Sequence, residues 1–416
     1  MASSSLSVIQ FLVVFFFVSQ LPSSSSLPDG IVFKLKRDTS TLQYMIKFSQ
    51  GTPKADVKLA LDLGGKLPWF DCHEGYNSSS ARRVKCKSSL CSLANRENTT
   101  STCSHNSHCS IHKLNPVTQS ISEGELISDL VTTISNPHNP LKNKKKPSDP
   151  ESYDTPVISR RRLTFGCATT SNFFGGLAKG AKGVAGLGRS SALSLVFQFA
   201  IRFRFPRTFA VDLLESNVYF GGGPYVHRNF YWDHDKSRVL EYTRFLINPM
   251  SIEEYFVDLK SIKVYGKTVP IDKKLLSINK GTGVGGTKID IQTPFTTLQT
   301  SIYKAFIKIH TEWAKSMNIS MVTPVAPFTA CYNSSTLPPF NGNRQTPGVT
   351  FVFPKNEWGV AWRDLVEVNE ATNCVGFVDG GLKPMTSIVI GARQIGFAEF
   401  DISRSRLGFL QPNFMT

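Results

Sequence analysis

One local pattern occurs twice and constrains the chain more than any other feature. Leu59-Ala-Leu-Asp62-Leu-Gly-Gly-Lys-Leu-Pro-Trp69 is an apolar run ending in an aspartate and a glycine turn. Gly285-Gly-Thr-Lys-Ile-Asp290-Ile-Gln-Thr-Pro-Phe repeats the theme 228 positions later. Each is followed, after a comparable interval, by an apolar run carrying glycine: Gly183-Val-Ala-Gly-Leu-Gly188 in the first half and Ile388-Val-Ile-Gly391 in the second. A degenerate duplication is the economical reading. With 416 residues and roughly 150 per domain as a prior, the chain is long enough for two well-buried units.

Short runs rich in Val, Ile, Phe and Tyr, punctuated by Gly, Asn or Pro, dominate the rest. They include 41–48, 56–61, 157–159, 208–213, 217–222, 255–265, 388–390 and 398–402, and they read as strands. Helical spacing is confined to a few stretches. Ile302, Phe306, Ile309 and Trp313 recur at three- and four-residue steps and predict a helix from about Thr300 to Lys315, with a second at Leu193 to Phe203. The fold class is therefore all-β with a few short helices. Between Asn136 and Arg162 the pattern lapses into Asn-Pro-His-Asn-Pro, a lysine run at 142–146 and Arg160-Arg-Arg162. Like charges in sequence and no periodicity mark it as an exposed insertion, with the arginines as a protease-accessible site.

Met1 to Ser26 contain no charged residue and centre on the apolar Val8 to Val18, followed by a serine run. That is a secretory signal too short to span a bilayer, and no other apolar stretch suggests a membrane anchor. Secretion gives meaning to the sequons at Asn77, Asn98, Asn318 and Asn333, and to the eight cysteines, Cys72, Cys86, Cys91, Cys103, Cys109, Cys167, Cys331 and Cys374, as disulfides. A zinc cluster drawn from Cys103, His105, His108, Cys109 and His112 is the rival reading, set aside because thiols in an oxidising compartment pair. No metal or other cofactor is implied. The formal charge of +16 would suit nucleic acid, but nothing else resembles a nucleic-acid-binding module in a chain that leaves the cytosol.

The two aspartate contexts, together with Ile388-Val-Ile-Gly-Ala-Arg-Gln-Ile-Gly-Phe-Ala-Glu-Phe-Asp401 and its continuation to Phe409, resemble the two lobes of pepsin-like aspartic proteases. The resemblance implies a bilobal fold with the signal at 1–26, an N-terminal lobe at 27–240 carrying the 136–162 insertion, and a C-terminal lobe at 241–416. It also implies that Asp62 and Asp290 occupy the dyad positions, where paired carboxylates activate water against a peptide carbonyl. The family's Asp-Thr/Ser-Gly-Ser/Thr turns supply hydroxyls and close-approach glycines. Here Asp62-Leu-Gly-Gly65 has lost both hydroxyl positions, and Asp290-Ile-Gln-Thr293 has Ile for the first hydroxyl and Gln for the glycine. The family's Tyr-Gly flap maps onto Ser120 to Leu130, with Ser120 near the tyrosine position. The carboxylates remain while their support is gone, so turnover is not expected.

Trp69-Phe-Asp-Cys72, Arg83-Val-Lys-Cys86, Phe165-Gly-Cys167, Gly186-Leu-Gly-Arg189, Gly285-Gly-Thr-Lys-Ile289, Val325-Ala-Pro-Phe328 and Phe377-Val-Asp-Gly-Gly381 are similar to one plant group. It comprises secreted non-peptidase homologues: inhibitors of xylanases and xyloglucan endoglucanases, dermal glycoproteins and basic seed globulins. The resemblance implies Cys72–Cys167 and Cys331–Cys374 bonds, leaving Cys86, Cys91, Cys103 and Cys109 to pair among themselves. It also implies an extracellular or cell-wall protein of plant defence whose partner is a glycoside hydrolase, with anionic wall polysaccharide as a further partner and neither nucleic acid nor membrane among them. An active aspartic endopeptidase with a degenerate dyad and a basic storage or wall-binding globulin stand as alternatives.

Overall fold

The computed structural model describes residues 30–72, 76–95, 103, 107–134, 158–168, 171–228, 233–338 and 348–411. The Met1 to Ser26 signal, Asn98, His105 and most of the 136–162 insertion lie outside them.

The architecture is β-rich because the sequence alternates. The strand Ile31–Arg37, for instance, buries Ile31, Phe33 and Leu35 and exposes Lys34 and Lys36. At the base, Ile31–Arg37, Asn217–Phe220 and Thr208–Asp212 from the first half continue into Phe397–Asp401, Arg406–Phe409 and Glu241–Leu246 from the second, all antiparallel. The halves meet where Thr208–Asp212 pairs with Phe397–Asp401, and there Phe209 stacks on Phe400 with ring centroids 4.6 Å apart. Tyr255 and Phe245 close over this stack, so one apolar core runs beneath both halves.

Above the base each half repeats one crossing. Ala55–Asp62 pairs in parallel with Gly183–Gly186, which also pairs antiparallel with Trp69–Asp71. In the second half Thr287–Ile289 pairs in parallel with Ile388–Ile390, which pairs antiparallel with Thr296–Leu298. The glycine-bearing strand thus slots between the aspartate strand and its successor in both halves. Asp62 sits opposite Gly186, and the Asp290 N–H donates to the Ile390 carbonyl at 3.0 Å.

Helices are short and positioned by burial. Thr300–Ser316 is capped by Gln299, whose side chain accepts from the Ser301 N–H at 2.7 Å, and its Ile302, Phe306 and Ala314 face the core. Leu195–Phe203 ends at Arg204 in the left-handed region (φ 61°).

Two sequence expectations need correction. The 255–265 run is not one strand: Tyr255–Val257 belongs to the main sheet and Ser261–Val264 to a separate four-stranded sheet. Asp258 marks the break, its carboxylate held by Arg244 at 2.9 Å and Lys260 at 2.6 Å. Nor do Arg160–Arg162 belong to an exposed loop. They lie in the strand Ile158–Ala168, paired with Thr132, Val131 and Leu130 of the long strand Ile121–Ile134, which pairs on its other edge with Tyr44–Gln50. Strand alternation puts Arg161 on one face, over the Phe203 ring, and Arg160 and Arg162 on the other, where Arg160 reaches the Gly51 carbonyl at 3.1 Å and Arg162 the Ser80 and Ser128 carbonyls at 2.8 Å each.

Candidate functional site

The two aspartates stand at the ends of equivalent strands. Asp62 ends the Ala55–Asp62 strand, and the chain then turns through Leu63, Gly64 and Gly65. The Gly64 N–H donates to Asp62 Oδ1 at 2.9 Å. Gly65 must be bare: a Cβ there would lie 2.6 Å from the Gly186 Cα and 2.9 Å from Asp62 Oδ2. Among the described residues no hydroxyl reaches the Asp62 carboxylate.

Asp290 is furnished differently. Its Oδ1 accepts from the Gln292 N–H at 2.8 Å and its Oδ2 from the Thr293 hydroxyl at 3.3 Å. Lys288, two residues earlier and so on the same face of the strand, places its ammonium 3.7 Å from Asp290 Oδ2 and 2.5 Å from Glu254 Oε1. Gln292 then reaches across the halves, its Nε2 donating to the Leu61 carbonyl at 3.0 Å. Leu63 and Ile291, at the positions where the protease family carries hydroxyls, are both buried apolar side chains.

The electrostatics follow. Burial, then the charge of Asp290, pushes Asp62 up to about 7 from the ordinary 3.8, against the pull of the Gly64 N–H and Lys288. Burial alone would lower Lys288, but Asp290, Glu254 and Asp62 outweigh it and hold its pKa above the usual 10.5. An ammonium therefore stands beside Asp290 as an ion-pair partner, its hydrogen bond going to Glu254.

The flap also differs from expectation. The hairpin pairs Ser110–Leu114 with Ile121–Ile134, and its turn is 115–120, so Ser120 closes the turn, exposed and bonded to the Thr118 hydroxyl at 2.7 Å. The inward side chain near the tip is Lys113, 1% exposed, whose pKa burial lowers to about 8 against the opposing charge of Glu123. The tip is fastened down. Asn115 Nδ2 donates to the Phe173 carbonyl at 2.7 Å and the Gly175 carbonyl at 3.0 Å, and Trp69 Nε1 donates to the Leu114 carbonyl at 3.2 Å. A cavity of about 810 Å³ flanks this hairpin, lined by Tyr76, Arg83, Glu123 and Glu125 among others, and neither dyad aspartate lines it.

The cysteines pair as Cys72–Cys167, Cys86–Cys103, Cys91–Cys109 and Cys331–Cys374, so the thiols of the rival zinc drawing are occupied. Of the sequon asparagines, Asn77 and Asn318 are exposed, while Asn333 is half-buried and caps a short turn, its Oδ1 accepting from the Ser335 N–H at 3.0 Å. Sequence reasoning did not single out Lys288, Glu254 or Lys113, and it noted Gln292 only as replacing the family's glycine. The spacing of Lys288 to Asp290 was a legible signal. Glu254 was not, because it comes from the neighbouring Tyr255–Val257 side of the ladder.

Two β-lobes sharing a basal sheet, each presenting an aspartate turn from a crossed ladder, define the pepsin-like class. A family model described as xylanase inhibitor N-terminal matches residues 44–222, and one described as xylanase inhibitor C-terminal matches 254–411. The chain belongs to this xylanase-inhibitor family of pepsin-like proteins. It is 38% identical to "Probable aspartic proteinase GIP2" of Nicotiana benthamiana, over 93% of this chain and 90% of that protein. It is 29% identical to "Basic 7S globulin" of Glycine max, over 95% and 91%. Among solved structures it is similar to "Crystal structure of edgp", with TM-score 0.80 and 33% identity over 94% of this chain and 96% of that one.

Proposed function

We propose that the chain is a secreted, non-catalytic member of this family that binds and inhibits cell-wall-degrading glycoside hydrolases, a xylanase or a xyloglucan endoglucanase, in plant defence. The observation that carries the non-catalytic part is the ammonium of Lys288, 3.7 Å from Asp290 and bonded to Glu254, in a dyad that lacks hydroxyl support at Leu63, Gly65 and Ile291. An aspartic protease needs one carboxylate free to take a proton from water while the other holds one. Asp62, protonated up to about pH 7, fits the carboxylate that holds the proton, but Asp290, which would have to take one from water, is engaged by Lys288, Thr293 and Gln292. The fastened hairpin adds to this, since a flap tied at Asn115 does not close over a peptide.

The binding part rests on the family descriptions covering both halves and on the charge. A protein of +16 meets a carboxylate-bearing sugar cleft with favourable long-range attraction. The same charge is the specific observation favouring a second reading, a storage or wall-associated globulin that contacts anionic polysaccharide. In the defence reading the protein is extracellular or wall-resident, and among the described residues Asn77 and Asn318 are the sequons best exposed for glycosylation. The test is inhibition of a panel of fungal xylanases and xyloglucan endoglucanases by the purified glycoprotein. Stoichiometric inhibition of at least one enzyme is expected, and inhibition of none would reject the reading.

A further inference from the structure

Three loops meet on the second half beside the dyad: 247–252, 279–286 and 382–387. The first runs directly into Glu253 and Glu254, the second into Thr287–Ile289 and Asp290. They are laced together. Asn248, buried, donates from Nδ2 to the Gly283 carbonyl at 2.8 Å and accepts at Oδ1 from the Met250 N–H at 3.0 Å. The Gly285 N–H donates to the Met385 carbonyl at 2.8 Å. Asn279 Oδ1 accepts from the N–H groups of Gly281 at 2.9 Å and Thr282 at 3.1 Å. Gly283 (φ 72°) runs through the left-handed region, and a Cβ on it would lie 2.7 Å from the Met250 Cβ. These loops hold their shape before any partner arrives.

On this framework stand exposed apolar side chains: Met250 and Met385 at 65% each, Leu382 at 74%, with Ile247, Ile252 and Val284 also exposed. Single exposed apolar residues are ordinary, but six on three interlocked loops form a patch of the kind that marks a contact surface. Its charged members are the exposed Lys280 and Lys383, and no Asp or Glu occurs within the three loops. The next carboxylates along the chain are engaged. Glu253 accepts from the Ser190 and Ser191 N–H groups at 3.0 Å each, and Glu254 is paired with Lys288. The result is an apolar centre with a cationic rim.

We infer that this patch is the docking surface for an acidic protein partner and, resting on the reading above, that the partner is the inhibited glycoside hydrolase at the mouth of its sugar cleft. Such a cleft carries its catalytic carboxylates together with sugar-stacking rings. Methionine thioethers pack well on ring edges, lysines pair with the carboxylates, and preformed loops lose little entropy on binding.

The test uses whichever enzyme of the xylanase and endoglucanase panel the intact protein inhibits. Met250→Asp with Met385→Asp is expected to weaken inhibition at least ~30-fold, the size of a central hot-spot loss, with thermal unfolding unchanged. Lys280→Glu with Lys383→Glu is expected to slow association roughly 3- to 10-fold at low salt, an effect that fades at high salt. Ile201→Asp, exposed on the Leu195–Phe203 helix of the other half, is the control and is expected to change nothing. If the aspartate variants fold poorly, Met250→Ala and Met385→Ala replace them, with a smaller expected loss. Patch variants that inhibit as well as the unaltered protein, in a panel where inhibition occurs, overturn the docking surface and leave the function intact. A panel with no inhibited enzyme overturns both.

Discussion

The two aspartate turns share a ladder and differ in almost everything attached to it. Around Asp62 the turn is glycine, and a single backbone N–H at 2.9 Å holds the carboxylate, so burial and the neighbouring charge win and push its pKa to about 7. Around Asp290 the turn carries Gln292 and Thr293, and Lys288 adds an ammonium tied also to Glu254. In the first half the backbone is preserved because Gly65 and Gly186 pack too closely to admit a side chain. In the second Thr293 stands in the place of Gly65, and Gln292, in the place of Gly64, reaches across the halves to the Leu61 carbonyl. Main-chain packing can thus hold equivalent turns in both halves while the side chains attached to them differ, and fold alone does not report turnover.

Changing Asp62 attacks the difference most strongly. Because the folded pKa of Asp62 is raised from 3.8 to about 7, folding favours the protonated carboxyl. Its contribution is fully present below about pH 4 and is lost as pH rises to about 7. Asp62→Asn copies the protonated form, so it should match the parent at pH 4 and be more stable by about 4 kcal/mol at pH 8, roughly 1.4 kcal/mol for each pH unit between 3.8 and about 7. A variant less stable than the parent at pH 8 would show that the charged carboxylate is wanted there.

The second prediction concerns the other turn and has the opposite sign. Lys288→Met leaves Glu254 and Asp290 largely buried without their counter-charge, and a loss of about 3 kcal/mol is expected in urea unfolding at pH 7. No change would mean that the ammonium does not hold the pair. Smallest is the cross-half contact: Gln292→Ala should lower stability by about 1 kcal/mol, the net worth of one such hydrogen bond. An unchanged unfolding midpoint would mean that water replaces it freely.

Much of this comparison was legible in the residues. The repeated apolar-run-then-aspartate pattern and the two glycine-bearing runs report strand registers, because a ladder that buries both faces leaves few choices of residue. The Thr300–Ser316 helix was legible for the same reason, its apolar spacing being the buried face itself. What failed involved partners distant in sequence. The charge run at Arg160–Arg162 looked like a loop because its acceptors, the carbonyls of Gly51, Ser80 and Ser128, come from other elements. The hairpin turn was misplaced because neither a Tyr-Gly signal nor a glycine marks 115–120. Lys288 lay in view two residues before Asp290, but its meaning depends on Glu254, which only the Tyr255–Val257 pairing brings near.

The central claim is the proposal that an aspartate pair with an ammonium 3.7 Å from Asp290 does not hydrolyse peptides. Purified protein and its Asp62→Ala variant should be incubated with a denatured protein substrate at pH 3 to 5, with and without pepstatin. The account predicts no cleavage above the variant's background and no effect of pepstatin, whereas proteolysis abolished both by pepstatin and by Asp62→Ala would contradict it.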